Sequence, residues 1–161
     1  MRFIADRMLG RLSRWLRLFG YDTLEIRKQK NEDDLLLELA EKEGRVLLSR
    51  DRMLIMRAIK RGVTAYLVES SEIMEQLKEI QREFNIKLEP EMDRCSLCNS
   101  PIRKVEPDEM DLVKSKDYVY PATLESATEF WLCDKCGQVY WRGKHWESIM
   151  ETVGILKRSS L

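Results

Sequence analysis

The stretch RVLLSRDRMLIMRAIKRGVTAYLV, residues 45–68, decides the fold. RVLLS reads as a strand, residues 52–61 as a helix stopped by Gly62, and TAYLV, 64–68, as a further strand. Two strands joined by a helix of this length are predicted to lie parallel, with a right-handed crossover. The first of them ends abruptly in Ser49, Arg50 and Asp51. A bare strand needs no carboxylate at its exit, but an active site does.

Upstream, RFIA at 2–5 reads as a strand, and Met8, Leu9, Leu12, Trp15, Leu16 and Phe19 recur at helical spacing until Gly20. DTLEI at 22–26 is a second strand, the polar segment 27–32 a loop, and Asp33 the N-cap of a helix through Glu43 closed by Gly44. Downstream, a helix over 71–84 presents Ile73, Leu77, Ile80 and Phe84 on one face. The order β-α-β-α-β-α-β-α predicts an α/β domain over residues 1–90 with a parallel sheet of about four strands. At KLEPEMDR the text turns polar and Pro-containing, which puts a boundary near 88–93. Residues 91–161 are read as a second, smaller unit with a C-terminal helix.

The 161 residues are enough for one domain with a real core plus an appendage. With 43% apolar and 35% charged residues the composition is that of a globular protein. Lys and Arg number 28 and Asp and Glu 28, so nucleic-acid binding must rest on where charges stand rather than on their sum. No apolar run reaches the roughly 20 residues of a membrane helix, and MRFIAD lacks the apolar core of a secretory signal. A cytoplasmic location is expected, and no membrane partner.

In a reducing compartment four cysteines read as metal ligands rather than disulfides. RCSLCNSPI holds Cys95 and Cys98, and WLCDKCGQVYW holds Cys133 and Cys136. Two C-x-x-C knuckles, each followed by a turn residue (Asn99, Gly137), suit one tetrahedral zinc ion held by four thiolates. Such a site has no open position, so its role is structural. The long segment between the pairs, including YVYPA, is expected to form its own loop or hairpin. His145, the one histidine, reads as a surface or packing residue. In VYWRGKHW, residues 139–146, Tyr140, Trp141 and Trp146 either pack this unit against the first domain, the favoured reading, or stack on single-stranded nucleic acid.

Ligands of an open parallel sheet bind outside the carboxyl ends of its strands. Asp6 follows the first strand, Asp51 the third, Glu69 and Glu72 the fourth, and Asp33 opens the helix after the second. Any one of these alone reads as a cap or turn former. Together, with no histidine among them, they suggest a carboxylate cage for a hard cation such as Mg²⁺ or Mn²⁺, as phosphodiester hydrolysis requires. Arg7, Arg11 and Arg14 share one side of the first helix, flanked by Arg17, and make a basic stripe beginning beside Asp6. Arg50, Arg52, Lys60 and Arg61 extend the positive surface on which phosphates would approach.

FIADRMLGRLSRWLRLFGYDT, Asp33 upstream of LLLELAEKEGRVLLSRD, RCSLCNSPI and FWLCDKCGQVYWRGKHW together resemble the PIN-like ribonuclease family named for the C-terminal region of Mut-seven exonucleases. The resemblance runs from about Phe3 to about Met150. It implies a PIN-like three-layer α/β domain, a C-terminal zinc ribbon and metal-dependent nuclease activity on RNA. By position, Asp6 matches the acid after the first strand, Asp51 the acid of the family's T-R-D element, with Ser49 in place of Thr, and Asp33 the acid opening the intervening helix, Asp34 being its alternative. A fourth acid falls to Asp34, Glu69 or Glu72.

The expectation is therefore a ribonuclease in which Asp6, Asp33 and Asp51 hold Mg²⁺ or Mn²⁺. Arg7, Arg11 and Arg14 guide single-stranded or structured RNA, and Ser49 and Arg50 shape the turn or touch phosphate. The alternative is a non-catalytic RNA-binding or adaptor module that uses the zinc ribbon and the basic helix.

Overall fold

The structure, a computed structural model, describes residues 1–26 and 29–159. Strands β1 (Arg2–Ala5), β2 (Asp22–Glu25), β3 (Val46–Ser49) and β4 (Ala65–Leu67) form one parallel sheet in the order β2-β1-β3-β4. Between them run helices α1 (Gly10–Leu18), α2 (Glu32–Glu43) and α3 (Arg52–Lys60), and α4 (Ile73–Phe84) follows β4. Alternation along the strands splits the core in two. Phe3, Ala5, Val46 and Leu48 face α1 and α4, where they meet Leu12, Leu16, Leu77 and Ile80. Ile4 and Leu47 face α2 and α3, against Leu36, Leu37, Leu54 and Ala58. Both faces of the sheet are covered, so the strands carry apolar residues on both sides.

Several helix ends differ from expectation. A 3₁₀ turn, Arg7–Leu9, precedes α1, and α4 begins at Ile73 rather than 71. Asp33 does not cap α2. The chain enters through Asn31 in the left-handed region (φ 57°), so the helix starts at Glu32 and Asp33 lies inside its first turn. Of the polar loop expected over 27–32, Arg27 and Lys28 lie outside the described residues.

The second region holds an antiparallel sheet of β5 (Arg103–Lys104), β6 (Phe130–Leu132) and β7 (Val139–Trp141), in that order. The segment between the cysteine pairs, expected to form its own loop or hairpin, carries β5 and β6, which pair antiparallel, with a helical connection between them. It contains a 3₁₀ turn (Pro107–Glu109), α5 (Met110–Lys114) and α6 (Pro121–Ser126). Pro121 stands at the start of α6, where its missing N–H costs nothing. Val113, Val119, Phe130, Leu132 and Val139 bury one another here, with Trp141 against them.

Helix α7 (Lys144–Ser159) then returns to the first region. Val153 and Leu156, 3% and 1% exposed, belong to the same core as α1 and α4. The first knuckle is tied to the edge of the parallel sheet. Arg17, buried in α1, donates from Nη1 to the carbonyls of Ser96 and Leu97 (both 3.1 Å) and from Nε to that of Thr23 (2.8 Å). Asn99, in the left-handed region (φ 68°), accepts from the Thr23 N–H (2.9 Å) and donates to Asp22 (2.7 Å).

Candidate active site and metal centre

After β1 the chain crosses to β2 on one side, then returns past β1 to β3 on the other. The carboxyl ends of β1 and β3 are therefore the switch point of the sheet, where outgoing loops diverge and leave a crevice. Ala5 pairs with Leu48, and the Asp6 N–H continues the ladder to the Leu48 carbonyl at 3.2 Å. That register sets Asp6 beside Ser49.

Ser49 is fully buried, and its hydroxyl joins the two acids. It donates to Asp6 Oδ2 and accepts from the Asp51 N–H at 2.9 Å. It thus shapes the turn but has no surface with which to touch phosphate. Asp6, only 6% exposed, also accepts from the Met8 N–H at 2.8 Å and caps the 3₁₀ turn. Asp51 caps α3 through Oδ1, which accepts from Met53 N–H (2.8 Å) and Leu54 N–H (3.2 Å). Its Oδ2 has no hydrogen bond among the described residues. A carboxylate offers about four lone-pair sites, so both acids keep acceptor capacity beyond their capping bonds.

The first turn of α2 is spread over two arginines. Asp33 lies 3.7 Å from Arg57 of α3, which also pairs with Asp34; both acids are about half exposed. Glu32, 16% exposed, faces Arg7 at 3.5 Å, next along the chain from Asp6. Nothing in the sequence separates Glu32 from the two aspartates after it; only the left-handed entry at Asn31 does. Glu25 adds a carboxylate at the end of β2, in register with Ala5 and 3.9 Å from Arg17. Glu69 and Glu72 are exposed, and the Glu69 N–H is held by Glu79. Arg50 and Arg52 line a small cavity of about 220 Å³ with Leu67, Val68 and Glu69.

The basic stripe divides by use. Arg7 is paired, and Arg17, expected to flank the stripe, is buried as the bolt to the knuckle. Arg11 and Arg14 are exposed and make no ion pair or hydrogen bond among the described residues.

Cys95, Cys98, Cys133 and Cys136 bring their sulfurs within 4.8 Å of one another, the one such group of metal-capable side chains among the described residues. Cys98–Cys133 and Cys95–Cys136 stand 3.4 and 3.6 Å apart. Tetrahedral zinc with bonds of about 2.3 Å sets its sulfurs about 3.8 Å apart, so the set fits one zinc ion. Burial disfavours the Cys98 thiolate, but hydrogen bonds from Ser100 outweigh it and bring its pKa down to about 6. Burial pushes Cys136 up to about 12. A divalent cation resolves that conflict by neutralising the clustered thiolates. The Tyr140 hydroxyl reaches Cys95 Sγ (3.0 Å) and accepts from the Ser96 N–H (3.1 Å).

A family model described as the Mut7-C RNAse domain matches residues 1–153. The chain belongs to the Mut7-C RNAse domain family. No curated protein and no solved structure matches it. Membership associates this Mut7-C chain with nuclease-type RNA chemistry. No helix among its described residues is long and apolar enough to cross a membrane.

In this Mut7-C chain Trp141 packs within the second region rather than against the first domain. Trp141 stacks on Tyr118 (ring centroids 6.4 Å, 11° between planes), inside the second region. The Arg142 guanidinium lies over both Trp131 (5.2 Å) and Trp146 (5.4 Å). Trp141 and Trp146 line a cleft of about 890 Å³ whose other wall is α1. His145 is exposed at its mouth.

Proposed function

We propose that the chain is a Mg²⁺- or Mn²⁺-dependent ribonuclease acting at the crevice between β1 and β3. The observation that carries this reading is the Asp6–Ser49–Asp51 link: two acids at the exits of adjacent strands, the Asp6 carboxylate and the Asp51 backbone N–H held by one buried hydroxyl, at the switch point of the sheet.

Asp6 and Asp51 supply the first two oxygen donors for a cation. The third comes from the first turn of α2, either Asp33 once Arg57 releases it or Glu32 beside Arg7. A cation held there supplies charge neutralisation at the phosphate and activation of water for attack on phosphorus. Asp6 and Asp51 fix the position of that chemistry through rotamers already locked by capping bonds. Arg11 and Arg14 bind backbone phosphates, and Arg50 and Arg52 add positive charge on the other side of the crevice.

The test is cleavage of a labelled, mixed-sequence single-stranded RNA by zinc-loaded protein with Mg²⁺, with Mn²⁺ or with neither added, beside Asp51→Asn. Asparagine caps a helix about as well as aspartate, so the variant is expected to keep its stability within about 0.5 kcal/mol while cleavage is lost. Equal cutting by both proteins defeats the mechanism. Glu32→Gln and Asp33→Asn, compared for the Mn²⁺ concentration each requires, identify the third donor.

A second reading, RNA binding without cleavage, draws on the spread of the acids. No three carboxylates among the described residues lie within 4.8 Å of one another. It predicts RNA affinity indifferent to Mg²⁺ and no product under any condition.

A further inference from the structure

The cleft of about 890 Å³ lies between α1 and the second region, away from the acids of the crevice. Its walls combine Arg11, Arg14 and Trp15 of α1 with Tyr140, Trp141 and Trp146. Lys144 extends the positive side, with His145 beside it. No acidic residue lines it among the described residues, in a chain with as many acids as bases. Arg11 and Arg14 reach it with their charges uncommitted, and Trp15, Trp141 and Trp146 are half-buried, each with a face or edge left to the cleft. Gly143 makes room for this arrangement: a Cβ there would stand 2.8 Å from Trp141 Nε1.

We infer that this cleft is a base-stacking subsite for an unpaired nucleotide of single-stranded RNA. Aromatic faces take a base without regard to its identity, and flanking arginines take its phosphates. A volume near the upper end of the roughly 300–1,000 Å³ usual for ligand sites admits such a group. The inference takes RNA as the polymer from the function proposed above. Helix α1 links the two sites: from Asp6 to Arg14 the chain rises about 12 Å. The base held in the cleft is therefore a few nucleotides from the bond that faces Asp6, and a paired strand, whose bases cannot splay out, is refused.

The test uses tryptophan fluorescence, since three of the four tryptophans line the cleft. Zinc-loaded Asp51→Asn protein is titrated with an eight-nucleotide RNA and with an abasic ribose-phosphate chain of equal length and charge. The RNA is expected to quench the emission and to bind roughly 5- to 150-fold more tightly than the abasic chain, the worth of one stacked base. Trp146→Ala is expected to bring RNA affinity down to the abasic level, and Trp146→Phe to restore most of it. Arg14→Glu, an exposed change, is expected to weaken both polymers alike.

Equal affinity for RNA and the abasic chain overturns the inference, as does unchanged RNA affinity in a folded Trp146→Ala protein. Binding of neither polymer overturns it too, and assigns the cleft to a partner of other chemistry. Base-dependent quenching in a protein that never cuts RNA sustains the subsite and sinks the nuclease reading. Metal-dependent cutting with no base dependence does the reverse.

Discussion

The hydroxyl of Ser49 bonds to the Asp6 carboxylate and to the Asp51 N–H, so its removal strips a donor from one and an acceptor from the other at once. Ser49→Ala is expected to cost about 1–3 kcal/mol in denaturant unfolding, because a buried charged acceptor loses its donor. It is also expected to lower kcat tenfold or more with little change in KM, since Ser49 positions the acids and meets no substrate. Ser49→Thr, which keeps the hydroxyl, is expected to recover most of the rate; a variant as slow as alanine would remove Ser49 from the mechanism. The strand-exit positions of Asp6 and Asp51 are legible in the sequence because each directly follows a short apolar run, and the structure uses both as caps. Glu32 is not legible, because which of Glu32, Asp33 and Asp34 turns toward Arg7 depends on the backbone at Asn31.

Elements with whole turns of periodic apolar residues were readable, as α4 shows: Leu77 and Ile80 fall on the core side as their spacing predicts. Helices α5 and α6, of five and six residues, complete too few turns for a period to emerge. The join between edge strand and knuckle has no sequence period either. It depends on Asp22, which accepts from Arg45 (2.8 Å) and Asn99 (2.7 Å). Burial works against the Asp22 carboxylate, yet these bonds outweigh it and hold its pKa below the ordinary range. Its contribution to stability is therefore present above the unfolded value of about 3.9 and is lost as pH falls below it. Asp22→Asn is expected to be less stable than the parent at pH 6, with the gap closing toward pH 2.5. Urea unfolding across that range checks it, and a gap that stays constant would show that the ionised form of Asp22 contributes nothing.

Across the whole molecule, composition marks the change near residues 88–93, but no local signal announces that α7 comes back to the core of α1 and α4. Long-range docking is written in which surfaces match, not in either surface alone. Two consequences follow for stability. Leu156→Ala, at 1% exposure, is expected to cost about 2–4 kcal/mol and to lower the unfolding midpoint of the parallel-sheet region itself. Stripping zinc with a chelator is expected to destabilise the same region, because Arg17 of α1 anchors to the backbone of the first knuckle and Asn99 of that knuckle bonds to Thr23 and Asp22 of the sheet. Circular dichroism of the helices against tryptophan emission distinguishes the outcomes. Coincident transitions that move together support the coupling, whereas an unmoved helical transition in the stripped protein would refute it.

The return of α7 also orders events in time. A ribosome adds roughly 5–20 residues per second, and Leu156 is made 68 residues after Leu88, its partner in the same buried cluster. For roughly 3–14 s the nascent chain has made α1, α4 and Leu88 but not Val153 and Leu156, which later cover part of the same apolar cluster. A chain truncated before α7 is expected to leave that part of the α1–α4 cluster open to water, where it becomes a binding surface for whatever shields apolar groups near the ribosome.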